Sequence, residues 1–243
     1  MRLLTFVLVT GFTSLASAQP PGKFPPDSLI NTKVIPHSTP VMEVVGTMRN
    51  FTSALGVRCQ FCHVGREGQP LGEFDFASDQ KRNKLVARQM MRMVAEINQR
   101  LDTIPERGKP PVTATCMTCH RGVNRPVPLS ELVQDAAVTV NADSAVRAYK
   151  ALRARYFGRD AYDFSEPSLN IAAFRTARAG KPDEALTLLR YNEELFPNSS
   201  AMAVFKGNIL LMKGDTAAAE TAFREAIRRD STNMEARGRL QAI

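Results

Sequence analysis

From about residue 40 onward, apolar residues recur with a helical period along most of the chain. Thr39-Pro40 reads as an N-cap followed by proline at the first helical position. Val41, Val44, Val45, Met48, Phe51, Thr52 and Leu55 then share one face, and Gly56 is placed to end the helix. Met42 falls off that stripe. A second helix, capped by Ser78, is expected to run to about Leu101 with Val86, Met90, Met93, Val94, Ile97 and Leu101 on its apolar face. A third is expected over Ala142 to Phe157. Between these stretches the period is lost. Residues 19–37 are proline-rich and read as an extended arm, residues 64–77 as a Gly-rich loop carrying Phe74 and Phe76, and Arg121 to Pro128 as a break in regular structure. The pattern is that of a mainly α chain.

From about Pro167 the helical pattern repeats at a period of 34 residues. Ala173 recurs as Gly207, Gly180 as Gly214, Ala185 as Ala219 and Leu189 as Phe223. A helix-turn-helix of that length with small residues at the packing positions is the tetratricopeptide pattern. Since one such repeat cannot bury its apolar face alone, Ala142 to Phe157 and Met234 to Ile243 are expected to pack against it or cap it.

The N-terminus adds a compartment. Arg2, the apolar run Leu3 to Val9 and the small residues Ala16-Ser17-Ala18 read as a secretory signal peptide over residues 1–18. Its apolar run is too short for a comfortable membrane span, and no cysteine follows the small residues, so no lipid anchor is expected there. The domain reading is therefore a signal peptide at 1–18, the arm at 19–37, a first domain at 38–135 and a tetratricopeptide-like helical domain at 142–243.

Charge changes little. The formal net charge is +8, but it is spread evenly: residues 19–140 carry 15 basic and 11 acidic residues, and residues 141–243 carry 16 and 13. No basic stripe suggests nucleic acid as a partner.

Cysteine changes the picture most. All four cysteines fall in two five-residue signatures, Cys59-Gln60-Phe61-Cys62-His63 and Cys116-Met117-Thr118-Cys119-His120. Each reads as a haem c attachment site: two thiols one turn apart can form thioethers to the two vinyl groups of one haem, and the adjacent imidazole reaches the iron. A zinc site built from two such knuckles has compatible spacing but leaves both histidines unexplained. Export agrees with the haem reading, since haem c is attached outside the bacterial cytoplasm, where a free CxxC tends to oxidise. The chain also lacks tryptophan, and two haems would furnish much of the apolar volume that its sparse aromatics do not.

With His63 and His120 each on one side of an iron, the other ligands must come from a short supply. Only His37 remains among the three histidines, whereas there are ten methionines. Met48 lies on the apolar stripe of its helix, 11 residues before Cys59. For the second haem, Met90 and Met93 sit one turn apart on the same face, Met91 points elsewhere, and spacing does not choose between them. Residues 28 to about 128 resemble the cytochrome subunit of the photosynthetic reaction centres of purple bacteria, in which a helix bearing the axial methionine precedes each CxxCH. The likeness is carried by Met48 with Leu55-Gly56-Val57 before Cys59, and by Val86 to Met93 with Ile97-Asn98 before Cys116-Met117-Thr118-Cys119-His120-Arg121-Gly122. It implies Met48 and Met90 as ligands, with Met93 the second choice for the latter. That subunit has four haem motifs and this chain two, so the resemblance implies a diheme module of the same fold.

The reading that follows is a periplasmic diheme c-type cytochrome, with any membrane association through a partner. It carries single electrons between redox proteins rather than acting as an enzyme, and its tetratricopeptide-like tail docks to protein. A diheme peroxidase would need an open iron and acid/base groups above it, and His37 is the only spare histidine. A structural subunit of an electron-conducting assembly is the third reading.

Overall fold

A computed structural model describes residues 22–106 and 108–243. The expected signal peptide and the first residues of the arm lie outside the described residues. The chain is mainly α, and it divides into two compact units: residues up to Ser53 with Val57–Thr115, and Ala54–Gly56 with Cys116–Ile243.

The first unit opens with the arm, which has no helix between residues 22 and 40. It is tied down at several points: Phe24 packs on Phe76 with ring centroids 5.5 Å apart, and Asn31 Nδ2 donates to the Ala77 carbonyl at 2.6 Å. Helix α1 (Val41–Leu55) starts one residue later than its sequence suggests. The Pro40 carbonyl accepts from the Glu43 and Val44 amides, so the proline stands where Thr39 was expected, just before the first helical residue. Gly56 ends α1 as expected, with φ +64°, a left-handed conformation that glycine adopts without strain.

An antiparallel bridge joins Val64 and Asp75 across the Gly-rich loop. Beyond it the expected Ser78 cap is not formed. Asp75 Oδ1 takes the amides of Ala77 and Ser78, and the Ser78 hydroxyl accepts from Gln80 N only two residues on. These local bonds hold residues 75–79 as irregular chain. Helix α2 (Arg82–Asp102) therefore begins several residues later, after Lys81, whose side chain caps nothing.

The second unit begins with the short helix α3 (Cys116–His120) and continues as α4 (Leu129–Thr139), α5 (Ala142–Tyr156), α6 (Glu166–Arg178), α7 (Pro182–Leu195), α8 (Ser200–Lys213), α9 (Thr216–Arg229) and α10 (Met234–Gln241). Helix α4 was not foreseen in the sequence, although Pro128 followed by Leu129, Val133 and Ala137 has the start signal and the period; those three residues are 2%, 0% and 1% exposed. The 34-residue repeat is realised in the backbone: α6, α8 and α10 start at 166, 200 and 234, and α7 and α9 at 182 and 216. Gly180 and Gly214 turn between paired helices at φ +83° and +86°. Ala185 and Ala219 are fully buried, which lets the helices of each pair approach closely. Gly207 stands where the previous repeat has Ala173 because Phe223 replaces Leu189. A Cβ at Gly207 would lie 2.4 Å from the Phe223 ring.

Candidate haem sites

The first CxxCH follows α1 by a short turn. Residues Cys59–Phe61 form one turn of 3-10 helix, and the Cys59 carbonyl accepts from the amides of both Cys62 and His63. That tight turn is what the motif requires, since it gathers residues 59, 62 and 63 onto one coil of backbone. Met48, Cys59, Cys62 and His63 all belong to the first unit.

His63 is half-buried, and its ring meets Phe76 edge-on with centroids 4.9 Å apart. Burial, then the Lys84 ammonium, push the imidazole down to about 4; the Phe76 backbone opposes this, and Arg88 adds to the lowering. The Phe76 backbone acts as a hydrogen-bonding group toward the ring, yet the buried Nδ1 has no hydrogen-bond partner of normal geometry. The imidazole is thus neutral, the form that binds a metal. Burial also pushes the Cys62 and Cys116 thiols up.

Around His63 the loop is locked from below. Lys84 Nζ donates to the carbonyls of Phe76, Ala77 and Ser78 at 2.8, 3.0 and 2.8 Å, and lies 3.2 Å from Asp79 Oδ1. Arg88 binds Asp79 Oδ2 and the Asn31 carbonyl, each at 2.9 Å. Arg88, with Asn31 and Lys84, holds the Asp79 carboxyl well below the usual carboxylate range. Sequence reading missed this network because Asn31 lies 57 residues from Arg88, and no local pattern announces such a pairing. Beside Cys59 a cavity of about 290 Å³ has a mixed lining, with Val57, Leu71 and Phe74 apolar, Arg58 and Arg66 cationic, Glu67 acidic and Thr52, Gln60 and Gln69 polar. Its two arginines can face carboxylates such as those of a haem edge, and its three apolar side chains a ring.

The second CxxCH forms α3 itself and belongs to the second unit. His120 Nδ1 donates to the Val123 carbonyl at 2.9 Å. Because a carbonyl only accepts, Nδ1 carries the proton and Nε2 is left free for a metal, the arrangement that commonly orients ligating histidines. The turn behind it is fixed within the same unit: Gly122, at φ +88°, donates its amide to the Ala54 carbonyl at 2.8 Å. The approach is so close that a Cβ at Gly56 would lie 2.1 Å from the Gly122 oxygen. The expectation that Gly122 merely breaks regular structure understated its role.

The methionines divide by exposure. Met48 is half-buried on α1 and Met42 is 61% exposed, matching the stripe read from the sequence. On α2 the apolar face is only partly covered by protein: Val86, Met90 and Met93 are 41%, 37% and 41% exposed, whereas Val94, Ile97 and Leu101, and Met91 off that face, are half-buried. Met90 and Met93 lie in the first unit and His120 in the second. Among the described residues no three His, Cys, Asp or Glu side chains converge as a metal-holding group, so the four-thiolate alternative gains no support. The donor set present, two half-buried or exposed thiols beside an imidazole at each motif, with thioethers available on the helices, fits covalent haem.

Residues 69–157 match the family described as photosynthetic reaction centre cytochrome C subunit. That stretch contains α2, the second CxxCH, α4 and α5, and it lies further along the chain than the 28–128 suggested by the motifs; the first CxxCH falls outside it. Over 99 residues, 37% of this chain, the protein is 31% identical to the photosynthetic reaction center cytochrome c subunit of Thermochromatium tepidum, of which it spans 23%. The second CxxCH and the helices on either side of it are therefore where the chain's likeness to that cytochrome family is carried.

Proposed function

We propose that the protein is a diheme c-type cytochrome, working in the periplasm, that passes single electrons between protein partners and is not an enzyme. Cys59 and Cys62 hold one haem with His63 as its proximal ligand, and Cys116 and Cys119 hold the other with His120. Met48 completes the first iron and Met90 the second, with Met93 the alternative. Haem supplies a one-electron Fe(III)/Fe(II) couple, and ligation by methionine opposite histidine raises its potential.

The observation that carries the reading is that each motif histidine is prepared as a ligand, His63 by burial that disfavours its charged form and His120 by an Nδ1 bond to Val123 that turns Nε2 to a metal. The likeness to a cytochrome c subunit supports it. Among the described residues no helix is long and apolar enough to cross a membrane. The 34-residue helical repeat is the part proposed to dock the module to a redox protein, because stacked repeats present extended binding surfaces.

Mass spectrometry of the purified protein should show two covalent haems, and near-infrared spectra should show sulfur-to-iron charge-transfer bands from both. Met48→Ala should abolish one band. Met90→Ala should abolish the other, with Met93→Ala leaving it in place. A high-spin iron that readily binds cyanide would sink the carrier reading in favour of an enzyme.

A further inference from the structure

The two motif histidines face different backbone partners. At His120 the Val123 carbonyl accepts from Nδ1 at 2.9 Å, and Val123 itself is 5% exposed, so the bond is sheltered. Such a bond pushes electron density onto the ring, makes the imidazole a stronger donor and favours ferric iron. At His63 the carbonyl that acts on the ring is that of Phe76, and it is taken at 2.8 Å by the Lys84 ammonium. The His63 Nδ1 has no hydrogen-bond partner of normal geometry.

The Lys84 charge cannot swing away. Four oxygens hold it, and its side chain is 11% exposed, which limits screening by solvent. Arg88, 14% exposed, is the second cation of the cluster, and Asp79 is the anion that neutralises one of the two. One positive charge is left beneath the loop that carries Phe76. Asp75 acts on His63 in the opposite sense but more weakly than Lys84.

We propose that Lys84, by holding the Phe76 carbonyl and fixing a cation beneath it, keeps His63 the weaker donor of the two imidazoles, so that the haem of Cys59 and Cys62 has the higher reduction potential. This rests on the two-haem reading above. Ferric haem carries one more positive charge than ferrous haem, so a fixed cation penalises the oxidised form; each couple takes one electron and moves no proton. At equilibrium an electron delivered to the pair rests on the haem of His63. Lys84 is a positioning residue: it acts through the loop and touches neither haem nor partner in this account.

The test is a spectroelectrochemical titration of the full-length, haem-loaded protein, beginning with its mass. Fewer than two covalent haems would overturn the underlying reading before any potential is measured. With two present, Lys84→Met should weaken reduction of the higher-potential haem about tenfold, which is about 59 mV for a one-electron couple. The lower midpoint should stay in place, and Lys84→Arg should restore the higher one. Asp79→Asn should move the same midpoint upward, because it removes the neutralising anion and keeps the size of the side chain. It decides the matter if Lys84→Met fails to load haem. An unmoved upper midpoint in the variant that loads, or a shift confined to the lower midpoint, refutes the proposal.

Discussion

Within residues 22–53 and 57–115 no described side chain is fully buried, whereas the second unit withdraws Tyr149, Phe223, Leu169, Leu188 and Ile209 from solvent almost completely. The difference is sharpest between helices of similar amphipathicity. Helix α2 has 21 residues and a marked apolar face, yet none of them is buried; α9, with 14, buries Ala219, Ala222, Phe223 and Ala226. Helices in water owe most of their stability to tertiary burial of the apolar face. The second unit can therefore hold itself together, while the first relies on polar ties such as the Lys84 and Arg88 network and on whatever apolar group covers α2. In the proposed reading that group is haem.

Removing haem is then the largest perturbation available. A full-length chain with all four cysteines replaced by serine should lose nearly all amide protection over α1 and α2 in hydrogen exchange, while α6 to α9 keep theirs. Strong protection surviving in α2 would break the comparison at its root, because it would show that the first unit folds without a core.

The converse perturbation belongs to the second unit. Phe223 is fully buried, so Phe223→Ala should cost about 3–5 kcal/mol of that unit's stability through the cavity it leaves, read by denaturant unfolding. The haem spectrum should not change. Gly207→Ala should cost about 1–3 kcal/mol by overpacking, since its Cβ would press on the same ring at 2.4 Å. Combining Gly207→Ala with Phe223→Leu, the residue of the preceding repeat, should recover part of that loss. Failure to recover it would mean that the exchange of small and large residues between repeats is not a packed pair.

What could be read from the sequence follows the range of the interactions. The repeat was legible because Gly180, Gly214, Ala185 and Ala219 are set by turns and close contacts inside one 34-residue unit. The CxxCH motifs were legible because their chemistry is local, and the Met48 stripe because it has a helical period. Ser78 was misread: the sequence shows a good capping residue, but Asp75 had already claimed the amides around it. The Asn31, Asp79, Lys84 and Arg88 network could not be seen at all, because it joins the arm, a loop and a helix. Helix α4 could have been found, and the run of prolines before it obscured its period.

The smallest effect concerns how helices begin. In the second unit Asn141, Ser199, Asp215 and Asn233 each accept a backbone amide from the first turn of their helix, whereas Pro128, Ser165 and Lys181 do not, and neither does Lys81 before α2 in the first. Asp215→Ala should therefore cost about 1 kcal/mol in the unfolding of the second unit, the usual worth of a lost N-cap. Lys81→Ala should change the stability of the loaded first unit by less than about 0.5 kcal/mol, as for an ordinary surface substitution. A large loss on Lys81→Ala would show that α2 is anchored at its start by more than the side chains around Asp79, and the contrast between the capped start of α9 and the uncapped start of α2 would fail there.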